Sequence, residues 1–287
     1  MKLTFIGCGG AFSLKNLNSN MLIETEIPAS IIDNSSGKDI VYQLSPEVDN
    51  WQTSRLLIDC GFTAHQALDD MGLSAKDIDS VYISHQHADH AGGLEWFGFT
   101  RYFLTPGQKP KMFINERLAE NLWTDTLRGG MSSHQGVVLT LDSFFDVSRI
   151  GRNGFFHFGR DKYTPIQMIH IMNGYEIVPS YGLMIEIGGA TVSHPQQSKY
   201  NKKVFITTDT TLSPHLMEFY KQADVIFQDC ETYDTPSGVH AHYNDLVGLP
   251  PIIKEKMWLY HYADGKRPDA EADGFKGFVY KGQEFIF

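Results

Sequence analysis

Short apolar runs alternate with amphipathic stretches along most of the chain, and their periods predict alternating strands and helices. KLTFI at 2–6 reads as a first strand, NMLIE at 20–24 and RLLID at 55–59 as a pair of strands, and VYIS at 81–84 as a fourth. The stretch between the pair is polar and turn-rich around 34–38, so it predicts a hairpin-like insertion at about 24–54. Residues 64–72 follow a helical period, with Ala64, Leu68 and Met71 on one side and Gly72 as the stop. Strand KMFI and helix ERLAENLWTDTL fill 111–127, while 128–165, rich in Gly, Phe and Arg, reads as irregular. Later strands are expected at 166–171, 181–187, 203–207, 224–227 and 257–260, with helices at 214–222 and 244–255. No repeat and no low-complexity linker breaks the alternation, which predicts one α/β domain over 1–287.

Composition narrows this picture. No apolar run approaches the ~18 residues that span a membrane, and the apolar start MKLTFIGCGGAF is too short for a signal-peptide core, so a cytoplasmic protein is expected. Cys8, Cys60 and Cys230 each follow an apolar run; three scattered cysteines are no disulfide framework and read as small buried hydrophobes. The formal net charge of -10 weighs against a long nucleic acid as partner. The glycines of GCGG at 7–10 do not complete a dinucleotide fingerprint, because Phe12 stands where a glycine is required; they read as a tight turn beside a functional site.

That site is announced by SHQHADH at 84–90. His85 and His87, two apart on an extended segment, can converge on one cation, and Asp89 and His90 can reach a second beside it. Neutral imidazole and carboxylate suit zinc, with manganese or iron as substitutes.

His85-Gln86-His87-Ala88-Asp89-His90 resembles the HxHxDH signature of the metallo-β-lactamase fold, with LLIDCG and GLSAKDIDSVYIS before it and AGGLE after it resembling that family's flanks. The resemblance covers nearly the whole chain. It implies a four-layered αβ/βα sandwich with a dinuclear metal site at the edge of two facing sheets. It further implies Asp209, after VFITT, as a carboxylate bridging both metals, and His261, after MWLY, as the last ligand of the second. The third histidine of the first metal is placed before the strand start Tyr181-Gly182-Leu183. His170 is the candidate, His157 the alternative, and His194 comes too late in the order.

Within that fold, DCETYDTPSGVHAHYNDL at 229–246 resembles the segment of RNase Z and related cyclic-nucleotide phosphodiesterases that carries an extra catalytic histidine, here His240. VHAHYNDL with MWLYHY is similar to phage anti-Pycsar enzymes, which hydrolyse cyclic mononucleotides. The resemblance implies catalytic roles for His240 and Asp89. His242 departs from the RNase Z pattern, which has a hydroxyl residue there; an i, i+2 pair on an extended segment would also turn His242 toward the site. The implied reaction is attack by a hydroxide bridging two divalent cations on a small phosphodiester, a 3′,5′-cyclic mononucleotide, to give the linear monophosphate. His240 would supply the leaving-group proton, for which an ordinary histidine pKa is suited. RNase Z grips tRNA with a long Gly/Pro-rich arm that has no counterpart between Asp209 and His240. Two alternatives stay open: an RNase Z-like tRNA 3′ endonuclease, and a carbon-ester hydrolase such as a lactonase, which needs the metals but not His240. Members of this branch commonly pair, implying a homodimer whose partner completes the pocket. The aromatic stretches WFGFTRYF at 96–103 and GFFHFGR at 154–160 are candidates for stacking on a base.

Overall fold

The structure is a computed structural model and describes residues 1–28, 51–188 and 202–287. The central part of the expected insertion at 24–54, and His194, lie outside the described residues. Two seven-stranded sheets carry the fold. The first is built from β1 (Lys2–Phe5), β2 (Met21–Pro28), β3 (Trp51–Ile58), β4 (Ser80–Ile83), β5 (Lys111–Asn115) and β6 (Asp146–Ile150). The second uses β7 (Phe156–Phe158), β8 (Asp161–Gln167), β9 (Tyr181–Glu186), β10 (Lys203–Ile206), β11 (Val225–Asp229), β12 (Met257–Tyr260) and β13 (Gly277–Phe278). The last strand, β14 (Glu284–Ile286), returns to pair with β1 at the edge of the first sheet. β2 and β3 are antiparallel partners, with Met21 opposite Ile58, as the pattern of 20–24 and 55–59 predicts. In each sheet four neighbouring strands are parallel: β3 to β6 in the first and β10 to β13 in the second.

The period-2 alternation of these strands sorts their side chains into three cores. Leu56 and Ile58 of β3, Leu183 and Ile185 of β9, and Val204 and Ile206 of β10 meet between the sheets. The intervening Leu57, with Val81 and Met112, faces outward onto helical residues Leu68, Leu94 and Phe97. Met184 and Phe205 face the other way, onto Leu216, Tyr220 and Leu246. Three cores between four layers make an αβ/βα sandwich, the metallo-β-lactamase architecture that the sequence resembles.

Several elements differ from the sequence expectation. Residues 128–165 are not irregular: they hold short helices at Arg128–Met131 and Leu141–Phe144, strands β6 and β7, and most of β8. Their turns are close together, so no run is long enough to show a period. β8 ends at Gln167, earlier than the expected 166–171 strand, which leaves His170 on the loop beyond it. The expected helix at 244–255 is two helices, Tyr243–Val247 and Pro251–Lys254, since Pro250-Pro251 cannot continue an α-helical hydrogen-bond ladder. The two aromatic stretches that are candidates for stacking on a base are mostly core, the commoner place for such residues. Phe97 is buried and stacks on Phe145, and Phe156 lies between the sheets with its ring on Phe113 at 4.1 Å. The three cysteines are buried and unpaired. Among the described residues, no helix is long and apolar enough to cross a membrane.

Candidate metal centre

The carboxyl ends of the parallel strands of both sheets open onto one edge, the place where α/β sheets usually present a ligand site. Strand β4 delivers Ser84 and His85, and the turn after it delivers His87. A short helix, Ala88–Ala91, then turns Asp89 and His90 inward. Asp209 follows β10, Asp229 ends β11 and His261 follows β12. Two of these strand exits, and that of β3, pass through a left-handed backbone at a residue other than glycine: Thr208 (φ 52°), His261 (φ 65°) and Asp59 (φ 62°). Such conformations are strained for side-chain-bearing residues and cluster where function fixes a direction. The two sheets are tied here, His261 N–H donating to the Cys8 carbonyl at 2.7 Å.

The side chains gather into overlapping groups of donor atoms. His85, His87, His170 and Asp209 form one, and Asp89, His90, Asp209 and His261 form a second. A third contains Asp209, Asp229, His240 and His261. In each group the donor atoms lie within 4.8 Å of one another, and Asp209, fully buried at the centre, belongs to all three. All eight predicted residues are therefore brought together, with His170 in the place for which His157 was the alternative. His157 instead sits on β7, opposite Lys162 of β8.

The hydrogen bonds fix where the imidazole lone pairs point. His170 Nδ1 lies 2.7 Å from the Val239 carbonyl, which can only accept, so Nδ1 carries the proton and Nε2 the lone pair. Ser84 Oγ donates to Asp59 at 2.7 Å and so accepts from His85 Nδ1 at 3.0 Å, leaving His85 Nε2 bare as well. His90 Nδ1 is 2.7 Å from Asp59, and His261 Nδ1 is 3.3 Å from Asp229. Each of these four rings thus turns its N–H outward and its Nε2 toward the centre. There His85 and His170 Nε2 both lie 3.1 Å from His87 Nδ1, and His90 and His261 Nε2 lie 3.2 and 3.4 Å from Asp209 Oδ1. A proton on His87 Nδ1 could serve only one of its two facing acceptors, and the remaining lone pairs and carboxylates repel unless a cation stands between them. Buried His90 Nε2 and Asp209 Oδ1 have no hydrogen-bond partner, consistent with that role. An outward N–H held by a carboxylate, hydroxyl or carbonyl is the usual support of a metal-ligating histidine. The donor set therefore fits divalent cations.

Electrostatics divide the centre: burial would lower His90 and His261, but Asp209 and the neighbouring carboxylates hold both rings well above the usual histidine range, a positive charge that a bound cation would replace. Burial and the neighbouring His90 drive the His85 ring well below the usual histidine range, to the neutral form that ligates. Burial alone would raise the Asp209 carboxyl, but His261 and His90 hold it well below the carboxylate range. The third group is different in kind. His240 Nδ1 is engaged at 2.9 Å by Asp229, whose other oxygen faces His261 Nδ1. His240 Nδ1 and Asp229 Oδ2 satisfy one another, and Asp229 Oδ1 stands 3.3 Å from His261 Nδ1 with no hydrogen bond of its own, so the group is a charged support for the second. Burial would lower the His240 pKa, but Asp229, by its charge and its hydrogen bond, raises it above the ordinary value.

His242 does not join the centre. Its ring accepts from Asn244 N–H at 3.3 Å, capping the helix Tyr243–Val247, and lies 2.8 Å from the Tyr233 carbonyl. The expectation that His240 and His242 share a face fails because the chain bends at 238–240, after which His242 pairs with Glu231 and caps the helix that follows it. Two residues escaped the sequence reading. Asp59 accepts from His90 and from both the N–H and hydroxyl of Ser84, so one carboxylate orients a ring in each of the first two donor groups. Asp229 does the same for His240 and His261. The signal was present: LLID and VIFQD are apolar runs that end on an acid. Asp59→Asn keeps a residue that tolerates the left-handed backbone but removes the charge. It is expected to weaken zinc binding by about 10- to 100-fold, read by calorimetric titration of chelator-stripped protein.

Fold and site together define a metallo-β-lactamase-fold protein with a histidine–aspartate centre able to hold metal. The comparisons narrow the class. The family model "Anti-Pycsar protein Apyc1" matches residues 48–285. Relatives of that name include one from Paenibacillus harenae, 35% identical and covering 92% of this chain and 90% of its own, and one from Paenibacillus sp. (strain J14), 32% identical over 97% and 96%. The chain belongs to the Apyc1 family of anti-Pycsar proteins. Among solved structures, the metallo-β-lactamase fold protein YhfI from Bacillus subtilis superposes with a TM-score of 0.64 at 17% identity, over 99% of this chain and 98% of its own.

Proposed function

We propose that this chain is a phosphodiesterase that uses two divalent cations to open a 3′,5′-cyclic mononucleotide to the linear monophosphate. The observation that carries the reading is His240, seated on buried Asp229 at the open side of the donor cluster; its side chain is 17% exposed where Asp209 and Asp229 are sealed. In this reading His85, His87 and His170 hold one ion, Asp89, His90 and His261 the other, and Asp209 both. Zinc, with manganese as substitute, would supply hydroxide at neutral pH and offset the charge of the phosphate. Ring opening breaks a P–O bond, and the departing ribose oxygen needs a proton. His240, its Nδ1–H fixed by Asp229, has Nε2 free to hold and deliver that proton, and the Asp229 carboxylate stabilises the protonated ring. Asp89 Oδ2 lies 3.3 Å from the Nε2 of both His90 and His261, close enough for the three donors to share the second ion, beside which Asp89 would also serve the reaction.

Family membership supports the substrate class, as does the absence of a tRNA-binding arm between Asp209 and His240. The reading includes a homodimer, by likeness to this branch of the fold. The test is to load the purified protein with zinc or manganese and incubate it with cAMP, cGMP, cCMP and cUMP, and separately with precursor tRNA and a homoserine lactone. At least one cyclic nucleotide is expected to yield its linear monophosphate by chromatography. Cleavage of tRNA or lactone with no turnover of any cyclic nucleotide would overturn the reading.

A further inference from the structure

Large apolar side chains are exposed around the second donor group, on chain that is held in place. The loop after β1 makes a turn in which Ser13 N–H donates to the Gly10 carbonyl at 3.0 Å, with Phe12 at its tip. Phe12 is 82% exposed. The base of the turn lies directly on the centre: a Cβ on Gly10 would stand 3.3 Å from the ring of His261. Two residues span at most about 7 Å, so the Phe12 backbone stays within that distance of Gly10. Phe62 is 44% exposed, and its N–H donates to the carbonyl of Ala88, the neighbour of Asp89. Tyr233, 42% exposed, follows Thr232, whose hydroxyl accepts from Ala263 N–H close to His261. Three rings thus stand on segments tied within two residues of His261 or Asp89.

The Phe12 loop is also pre-organised. Asp264 accepts from Ser13 Oγ and Asn16 Nδ2, both at 2.6 Å, and from the N–H groups of Leu14 and Lys15 at 2.7 and 3.0 Å. Gly9 is needed because a Cβ there would meet Ser13 at 2.3 Å. A clamped loop that holds a phenylalanine in water has little ordering entropy left to lose when something covers the ring.

We infer that Phe12, with Phe62 and Tyr233 beside it, forms an aromatic rim that stacks on the nucleobase while the phosphate sits at the donor cluster. This rests on the cyclic-nucleotide reading above. A nucleotide carries its flat base one sugar away from its phosphate, a separation that the short reach from Gly10 to Phe12 matches. A protein partner suits the rim less well. An aromatic side chain buries about 150–250 Å², so three partly exposed rings offer well under the about 800 Å² per side of a stable interface.

The experiment compares wild type, Phe12→Ala and Phe12→Tyr on whichever cyclic nucleotide wild type hydrolyses, with ribose 5-phosphate as a base-free competitive inhibitor. Phe12→Ala is expected to raise KM about tenfold, the size of one lost base stack, with kcat changed less than about twofold and ribose 5-phosphate inhibition unaltered. Phe12→Tyr, which keeps the ring, should restore KM. An unchanged KM in Phe12→Ala overturns the inference. So does a parallel loss of kcat and ribose 5-phosphate binding, which would mean that the loop shapes the metal centre. A wild type that hydrolyses no cyclic nucleotide removes the parent reading, and this one with it, before any variant is made.

Discussion

Asp209→Ala is expected to lose both metal ions together and to lower turnover by on the order of a thousandfold or more, the effect of about 4 kcal/mol at the reacting centre. Among the described residues, no other belongs to all three donor groups. Its Oδ1 faces His90 and His261, and its Oδ2 faces His85 and His170 at 3.6 and 3.8 Å. Removing it leaves His85, His87 and His170 with no anion among them and the second group with Asp89 alone, so neither half of the centre can offset a dication's charge as before. The measurement has two independent readouts. Elemental analysis should fall from about two transition-metal ions per chain to less than one. Zinc should raise the melting temperature of stripped wild type by a few degrees, as a ligand that binds only the folded state does, and should leave Asp209→Ala unmoved. A variant that keeps two ions and its zinc-induced stabilisation would show that Asp209 does not bridge. Circular dichroism separates this from unfolding.

The parts of this centre that were legible in the sequence are those in which chemistry is packed into a few residues. His85 to His90 place three imidazoles and a carboxylate in one turn of chain, a density that a solvated loop does not need. Asp209 and His261 were legible because each follows an apolar strand at a place that the order of the family motifs marks, and the fold brings both to the donor cluster. His170 was harder: β8 ends at Gln167, and His170 reaches the centre only because its loop is anchored by the bond to the Val239 carbonyl, far away in sequence. Asp59 and Asp229 were missed because their work is done through other residues. An acid at the end of an apolar strand has many uses, and only the folded arrangement shows His90 or His240 leaning on it. The strands themselves were legible where alternation was long, as in β2 and β3. They were not where Gly and turns cut the runs to a few residues, as between 128 and 165, or where a terminal strand such as β14 depends on pairing with β1.

His240→Ala is expected to lower kcat on a cyclic nucleotide by about 100- to 10,000-fold, the usual contribution of a general acid, while retaining both metals. The argument turns on what each ring nitrogen is doing. His240 Nδ1 is 2.9 Å from Asp229, and it lies 3.9 Å from Asp209 Oδ2, beyond hydrogen-bond reach. His240 turns this proton-bearing Nδ1 toward Asp209, whereas His85, His90, His170 and His261 turn Nε2 toward it, so the loss of His240 should leave elemental content unchanged. Substrate choice gives a sharper signature. The ribose oxygen released from a cyclic nucleotide is a poor leaving group without a proton, whereas p-nitrophenolate departs unprotonated. His240→Ala should therefore lose far less activity on bis-p-nitrophenyl phosphate than on the cyclic nucleotide. Asp229→Asn provides the contrast, because it unseats His261 along with His240 and should weaken zinc binding by about 10- to 100-fold as well as turnover. Equal losses on both substrates with loss of one ion would make His240 a ligand, and would place the third donor group among the metal sites. Near wild-type kcat on the cyclic nucleotide would remove His240 from the reaction altogether and leave its hydrogen bond to Asp229 as a brace for His261.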